Sequence, residues 1–222
     1  MSISNFYEYG PGKGMKDGAV ERLVILLHGV GSNGQDLISL APILSQDIPN
    51  TMFISPDAPF ACDMMPAGYP NAYQWFSLSD RDPHAMLTGV KKVFPLVEEF
   101  IETQLDRYGL TADKLALLGF SQGTMTSLHV APRLKSPIAG ILGFSGALLW
   151  DDSAKDLQKM PVCLIHGEAD DVVPVQAWSM AKETLLEHGF DVSGHTSVGL
   201  THSIDQAGIE AGSAFLKKIF SF

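Results

Sequence analysis

The segment Leu117-Leu118-Gly119-Phe120-Ser121-Gln122-Gly123 carries G-x-S-x-G between an apolar run and a helix-compatible one. A strand that turns abruptly into a helix holds its corner residue in a strained backbone conformation. The residues two before and two after the corner must then be small. Such a corner pushes the Ser121 hydroxyl out at the carboxyl edge of a sheet, where α/β folds bind ligands. The positive end of the following helix also points at a developing oxyanion. This is the arrangement of a nucleophile for acyl transfer. The bland alternative, a serine in a Gly-rich loop, does not account for the strand before it and the helix after it. Ser145, in Gly143-Phe144-Ser145-Gly146, lacks a second glycine at the right offset and reads as structural.

A serine nucleophile needs two N–H donors for the oxyanion, a base and an orienting acid. After the first apolar run comes His28-Gly29-Val30-Gly31-Ser32-Asn33-Gly34, where glycines let bare backbone approach a substrate. One donor is expected from the backbone of Gln122 and the other from this loop, at Val30. His28 precedes the nucleophile, so its expected role is to order the loop by hydrogen bonding rather than to act as base. Gly29, Gly31 and Gly34 do stand at G-x-G-x-x-G spacing, but that motif alone is a weak signal and no G-x-x-x-x-G-K-[ST] is present, so a nucleotide-binding reading is weak.

Downstream of Ser121, the segment His166-Gly167-Glu168-Ala169-Asp170-Asp171-Val172-Val173-Pro174 offers three carboxylates. Chemistry alone does not choose among Glu168, Asp170 and Asp171. Three histidines compete as the base. His188 lies beside Gly189 near a helix C-terminus and reads as surface helix. His195 falls mid-strand. His202 sits in a short loop after the last strand, at the sheet edge that also carries Ser121 and the acidic cluster. His202 occupies the position the mechanism requires, and that mechanism needs no metal or cofactor.

The elements that would hold these groups alternate along the chain. Apolar or β-branched runs at 22–27, 51–55, 114–119, 138–144, 161–166 and 192–198 read as strands buried on both faces. Between 82 and 108, Val90, Val93, Phe94, Val97, Ile101 and Leu105 form a helical stripe, with a kink or break expected at Pro95. A second helix spans 175–187. The last is expected to start at Ser203, through a capping box with Gln206, and to bury Ile204, Gly208, Ala211, Phe215 and Ile219. The pattern predicts an α/β fold with a mostly parallel central sheet and helices on both faces. No linker divides the chain, so residues 1–222 are expected to form one domain.

Composition narrows the classes further. The chain has 222 residues, 45% hydrophobic and 18% charged, with a net charge of −10. No basic stripe is present, which argues against nucleic acid as a partner. No apolar run approaches the roughly 20 residues of a membrane span, so no stable membrane insertion is expected. The polar N-terminal stretch lacks the apolar core of a secretory signal, and a cytoplasmic location is expected. Cys62 and Cys163 fit neither a disulfide framework nor a zinc spacing.

With these residues in place, the chain resembles the phospholipase/carboxylesterase family, which includes acyl-protein thioesterases and bacterial carboxylesterases. The likeness runs through LVILLHGVGSNGQDL, SPDAP, Gln74-Trp75-Phe76, LLGFSQGTM, GFSGALL, HGEADDVVP and the terminal THS. The resemblance implies the α/β-hydrolase fold, Asp170 as the acid, His202 as the base, and Val30 and Gln122 as the oxyanion donors. Glu168 stands where the family usually has Asp. Thr201 stands where a glycine usually precedes the histidine.

Only residues 146–160 lie between two of the expected strands, too few for a separate cap domain. An open site is therefore expected, lined by Met64, Met65, Tyr73, Trp75 and Phe76 from a long loop and by Leu148 and Leu149. The expected substrates are short- to medium-chain acyl esters. Thioesters, lysophospholipids and S-acylated proteins belong to the same chemistry, and a hydrophobic rim around an open site would suit a homodimer. A peptidase or amidase and a catalytically silent binding module are the other classes this fold permits.

Overall fold

The computed structural model describes residues 2–11, 20–66 and 68–221; most of the polar N-terminal stretch, residues 12–19, lies outside them. The strands are β1 Phe6–Tyr9, β2 Arg22–Leu27, β3 Thr51–Pro56, β4 Phe60–Ala61, β5 Tyr73–Gln74, β6 Leu115–Phe120, β7 Gly140–Phe144, β8 Pro161–Gly167 and β9 Asp191–Ser197. Seven of them form one sheet in the order β1-β3-β2-β6-β7-β8-β9. Neighbours are parallel except β1, which runs antiparallel on β3. β4 and β5 pair separately. The helices are α1 Gly34–Leu37, α2 Ala41–Leu44, α3 Pro83–Tyr108, α4 Gln122–Val130, α5 Gln176–Glu187 and α6 Gln206–Ile219.

Alternation along the central strands sorts the core into two layers. Leu23, Ile25 and Leu27 of β2 face a cluster with Val90, Val93 and Val97 of α3, Leu128 of α4 and Leu185 of α5. Val24 and Leu26 face Leu37, Ala41 and Leu44, together with Phe215 and Leu216 of α6. Helices therefore cover both faces, and continuous apolar strands are the consequence. Burying each such side chain contributes about 1.5–3 kcal/mol. Residues 145–160 cross from β7 to β8 without a helix or strand, so no cap domain stands over the sheet edge.

Three expectations change. The helix over 83–108 does not break at Pro95. Pro95 lies on the exposed side of α3, as does Lys91, whose carbonyl loses its donor, and water can satisfy that oxygen. The N-cap of α6 is Asp205, whose Oδ1 accepts from the Gly208 amide at 2.7 Å; Ser203 does not cap. The Ser203 amide instead donates to Thr201 O at 2.8 Å, an i→i+2 turn centred on His202, and helix can begin only after it. On α6 the fully buried residues include Gly208, Gly212, Ser213, Phe215 and Leu216, while Ile204, Ala211 and Ile219 are half-buried against the same layer.

His129 on α4 is almost completely buried. Burial, reinforced by the Arg133 cation, lowers its pKa to about 4. The unfolded chain then binds a proton that the folded chain refuses, so stability falls as pH drops from about 7 towards 4. The expected loss from this group is about 3 kcal/mol. Urea unfolding at several pH values checks it: His129→Gln should flatten the slope over that range.

Candidate active site

Ser121 is the corner between β6 and α4, with φ 53° and ψ −116°. A non-glycine residue there carries backbone strain of order 1–3 kcal/mol. The strain is held from several sides. A Cβ on Gly119 would lie 2.4 Å from Thr124 N, and one on Gly123 would lie 1.7 Å from Leu27 O, so neither position accepts a side chain. The Ser121 amide donates to Phe144 O at 2.9 Å, which fastens the corner to β7.

The loop after β2 is built by groups that the chemistry does not consume. His28 is fully buried; its Nδ1 lies 2.7 Å from Gly29 O, and its Nε2 accepts from the Ala58 amide at 3.0 Å. A carbonyl only accepts, so Nδ1 carries the proton and the ring is neutral. Burial lowers its pKa against the smaller raising effect of the Gly29 carbonyl. Both nitrogens are engaged, and His28 orders the loop.

Asp57 fastens the far end of the same loop, accepting from the Gly34 amide at 2.8 Å and from the Asn5 side chain. The sequence reading assigned Asp57 no role, although it stands in the quoted SPDAP. Gly31 N donates to Tyr73 O at 2.8 Å and Tyr73 N to Ser32 O at 2.9 Å, which stitches the loop to β5. Among the described residues, the Val30 and Gln122 amides have no hydrogen-bond acceptor.

Gln122 also holds its neighbours with its side chain. Oε1 accepts from the Trp75 amide at 2.9 Å and Nε2 donates to Phe76 O at 2.7 Å. The Trp75 indole donates to His28 O at 2.9 Å. These contacts turn the Trp75 side chain inward, away from the lining position expected for it. Trp75 and Leu149 are buried in the core cluster, whereas Phe76, also largely buried, edges a recess with Phe60, Gln74 and Gly89. Aromatic residues in a long segment reveal nothing about which way they face. Met64 at 51% exposure and Met65 at 37% stand at the surface, while Tyr73 and Leu148 are half-buried. Met65 Cε lies 3.3 Å from where a Gly31 Cβ would stand.

Of the three carboxylates, only Asp170 is buried; Glu168 and Asp171 are exposed. Its Oδ2 lies 2.7 Å from His202 Nδ1, while Oδ1 accepts from the Val172 and Val173 amides at 2.9 and 2.8 Å. Burial alone would raise the Asp170 pKa. The hydrogen bonds from His202, Val173 and Val172 together outweigh it and hold the carboxyl below its ordinary range. His166 adds a group the sequence reading did not assign: its Nε2 lies 2.8 Å from Val173 O and 3.3 Å from Asp170 Oδ2.

The acid and histidine loops are one unit. Ala169 N donates to Leu200 O at 2.9 Å, and a Cβ on Gly167 would meet that same oxygen at 2.2 Å. Thr201, exposed and outside the left-handed region, fits where a glycine is usual; Gly199, at φ 71°, takes the left-handed turn. Glu168 accepts from Thr196 Oγ1 at 2.8 Å.

The His202 ring lies against Phe120, immediately before Ser121, with centroids 4.9 Å apart. No Ser121–His202 hydrogen bond is present among the described residues. His188 caps α5 and stacks on Trp150 at 4.2 Å, and His195 sits within β9 opposite Ile165. The Ser145 hydroxyl is buried without a partner among the described residues. The described residues contain no group of three or more side chains suited to a metal.

A model of the phospholipase/carboxylesterase family matches residues 15–220. Acyl-protein thioesterase 1 of Gibberella zeae is 29% identical over 211 residues, covering 88% of this chain and 89% of that protein. The crystal structure of esterase PE8 superimposes with a TM-score of 0.89 at 37% identity, covering 99% of this chain and 100% of that one. Zea mays acyl-protein thioesterase 2, at 24% identity and a TM-score of 0.73, covers 97% of this chain and 98% of its own and shares the fold.

Proposed function

Because the chain belongs to the phospholipase/carboxylesterase family, we propose that it is a serine carboxylesterase acting through Ser121, His202 and Asp170. The observation that carries this reading is the hydrogen bond between His202 and the buried Asp170 carboxylate, beside the strained corner at Ser121. In the reaction, the Ser121 oxygen bonds to the acyl carbon while its proton passes to His202 Nε2. Asp170 holds the other proton on Nδ1 and stabilises the imidazolium. The Val30 and Gln122 amides receive the oxyanion. The carbon–oxygen bond to the leaving alcohol breaks, and that oxygen takes the proton from Nε2. Water then attacks the acyl-enzyme by the same route and frees the acid and Ser121.

Short- to medium-chain acyl esters are the proposed substrates. The uncapped sheet edge and the exposed Met64 and Met65 support an adaptable acyl surface, with Tyr73 and Leu148 as further candidates. A thioesterase or lysophospholipase role is the second reading, favoured by the relatives named acyl-protein thioesterase and by a mouth open enough for a bulky acyl carrier. No helix among the described residues is long and apolar enough to cross a membrane. Two free cysteines are compatible with action in a reducing cytoplasm.

A series of p-nitrophenyl esters from acetate to laurate, beside an S-acyl peptide, tests the proposal. Turnover is expected to peak among the shorter esters. Preference for the thioester would favour the second reading. Hydrolysis of peptides alone would indicate an amidase, and no turnover with Ser121 inert to a fluorophosphonate would indicate a binding module.

A further inference from the structure

We infer that a recess beside His202 is the leaving-group subsite of this enzyme, shaped for a small neutral or cationic alcohol; the inference rests on the esterase reading above. The recess holds about 230 Å³ and lies between the loop after β2, the 3-10 turn Ile38–Leu40 and the entry to α6. Leu37, Leu40, Phe120 and Ile204 give it apolar walls.

Its position decides which half of the substrate it takes. Gly29, on its rim, lies so near the corner that a Cβ there would stand 3.3 Å from Ser121 Cβ. Phe120, one wall of the recess, packs against the His202 ring, and Ile204, another wall, follows His202 by two residues. The proton that His202 takes from Ser121 must next reach the leaving oxygen, so the leaving group departs on the imidazole's flank. A recess on that flank receives the alcohol. The acyl chain is left to the surface carrying Met65, which is not part of the recess and whose Cε lies 3.3 Å from where a Gly31 Cβ would stand.

Size and charge define the alcohol. The volume falls below the roughly 300–1,000 Å³ of sites for drug-sized ligands, which leaves room for a few carbons. The Ser32 hydroxyl donates to Asp36 Oδ2 at 2.9 Å and the Ser39 hydroxyl to Asp36 O at 2.6 Å, so their lone pairs remain to accept from a substrate hydroxyl. Asp36 sets a carboxylate at the mouth, and the neutral His28 does not offset it. A phosphate or carboxylate on the alcohol is repelled; a hydroxyl or an ammonium is accepted.

Butyrate esters of ethanol, butanol and hexanol, with butyrylcholine and its neutral isostere 3,3-dimethylbutyl butyrate, test the assignment by kcat/KM. Leu40→Trp, which fills the recess, should lower the butyl ester about tenfold or more and leave the ethyl ester within about threefold. Ile204→Ala, which enlarges it, should raise the hexyl-to-ethyl ratio. Asp36→Asn should remove a preference for the choline ester of up to about fivefold. An unchanged alcohol series overturns the inference, as does a shift confined to methyl esters of rising acyl length. No turnover of any ester by the wild type removes the esterase reading as well. Turnover with an indifferent alcohol series removes this inference alone.

Discussion

Ser121→Ala is expected to lower kcat for a preferred ester by roughly 10⁶-fold, with KM nearly unchanged. The substitution deletes one oxygen and leaves the oxyanion loop, the Gln122 clamp and the Asp170–His202 pair in place. Only the bond that forms during reaction is lost, so the effect belongs in kcat. The fold should not suffer, because alanine bears the same backbone strain as serine at φ 53°. Ser121→Gly, free of that strain, should be more stable by about 1 kcal/mol and equally inactive. Denaturation curves and single-turnover assays on both variants separate the two effects.

Asp170→Asn is expected to lower kcat by about 10⁴-fold. The reason lies in which oxygen faces which partner. Oδ1 is occupied by the Val172 and Val173 amides, so an asparagine keeps its carbonyl there. Its NH2 then replaces Oδ2, 2.7 Å from His202 Nδ1, and faces His166 Nε2 at 3.3 Å as a second donor. His202 can answer only by moving its proton to Nε2, which removes the lone pair that should accept the Ser121 proton. The native carboxyl, held below its ordinary range, contributes stability above the unfolded pKa of about 3.9. That contribution is lost only as pH falls through the lower folded value. Stopped assays at neutral pH, with circular dichroism as the control for folding, check the loss.

The corner at Ser121 was legible because its sterics demand small residues at fixed offsets, and Gly119 and Gly123 stand at them. The family named from GFSQG, the HG-x-G loop and HGEADD is the one whose model matches the chain. Other features depended on information that spacing does not carry. Nothing in residue type ranks Asp170 above Glu168 and Asp171; burial between two loops does. Trp75 and Phe76 are as apolar as a lipid groove requires, but the side chain of Gln122, the first residue of α4, clamps their backbone and Trp75 is fully buried. The pattern Ser203-Ile204-Asp205-Gln206 fits a capping box, yet the turn that presents His202 claims the Ser203 amide first. β1 went unread because a four-residue edge strand, half-buried at Phe6 and Tyr7 and exposed at Glu8 and Tyr9, lacks a continuous apolar run. It is pinned instead through Glu8, which accepts from Arg107 at 2.7 Å and from the Tyr108 hydroxyl at 2.7 Å.

The most direct measurement is reaction with a fluorophosphonate followed by peptide mapping, on the wild type and on His202→Ala. The account expects one adduct, on Ser121, formed orders of magnitude more slowly without the imidazole. An adduct on Ser145 or another serine, or equal labelling rates in the two proteins, would contradict it.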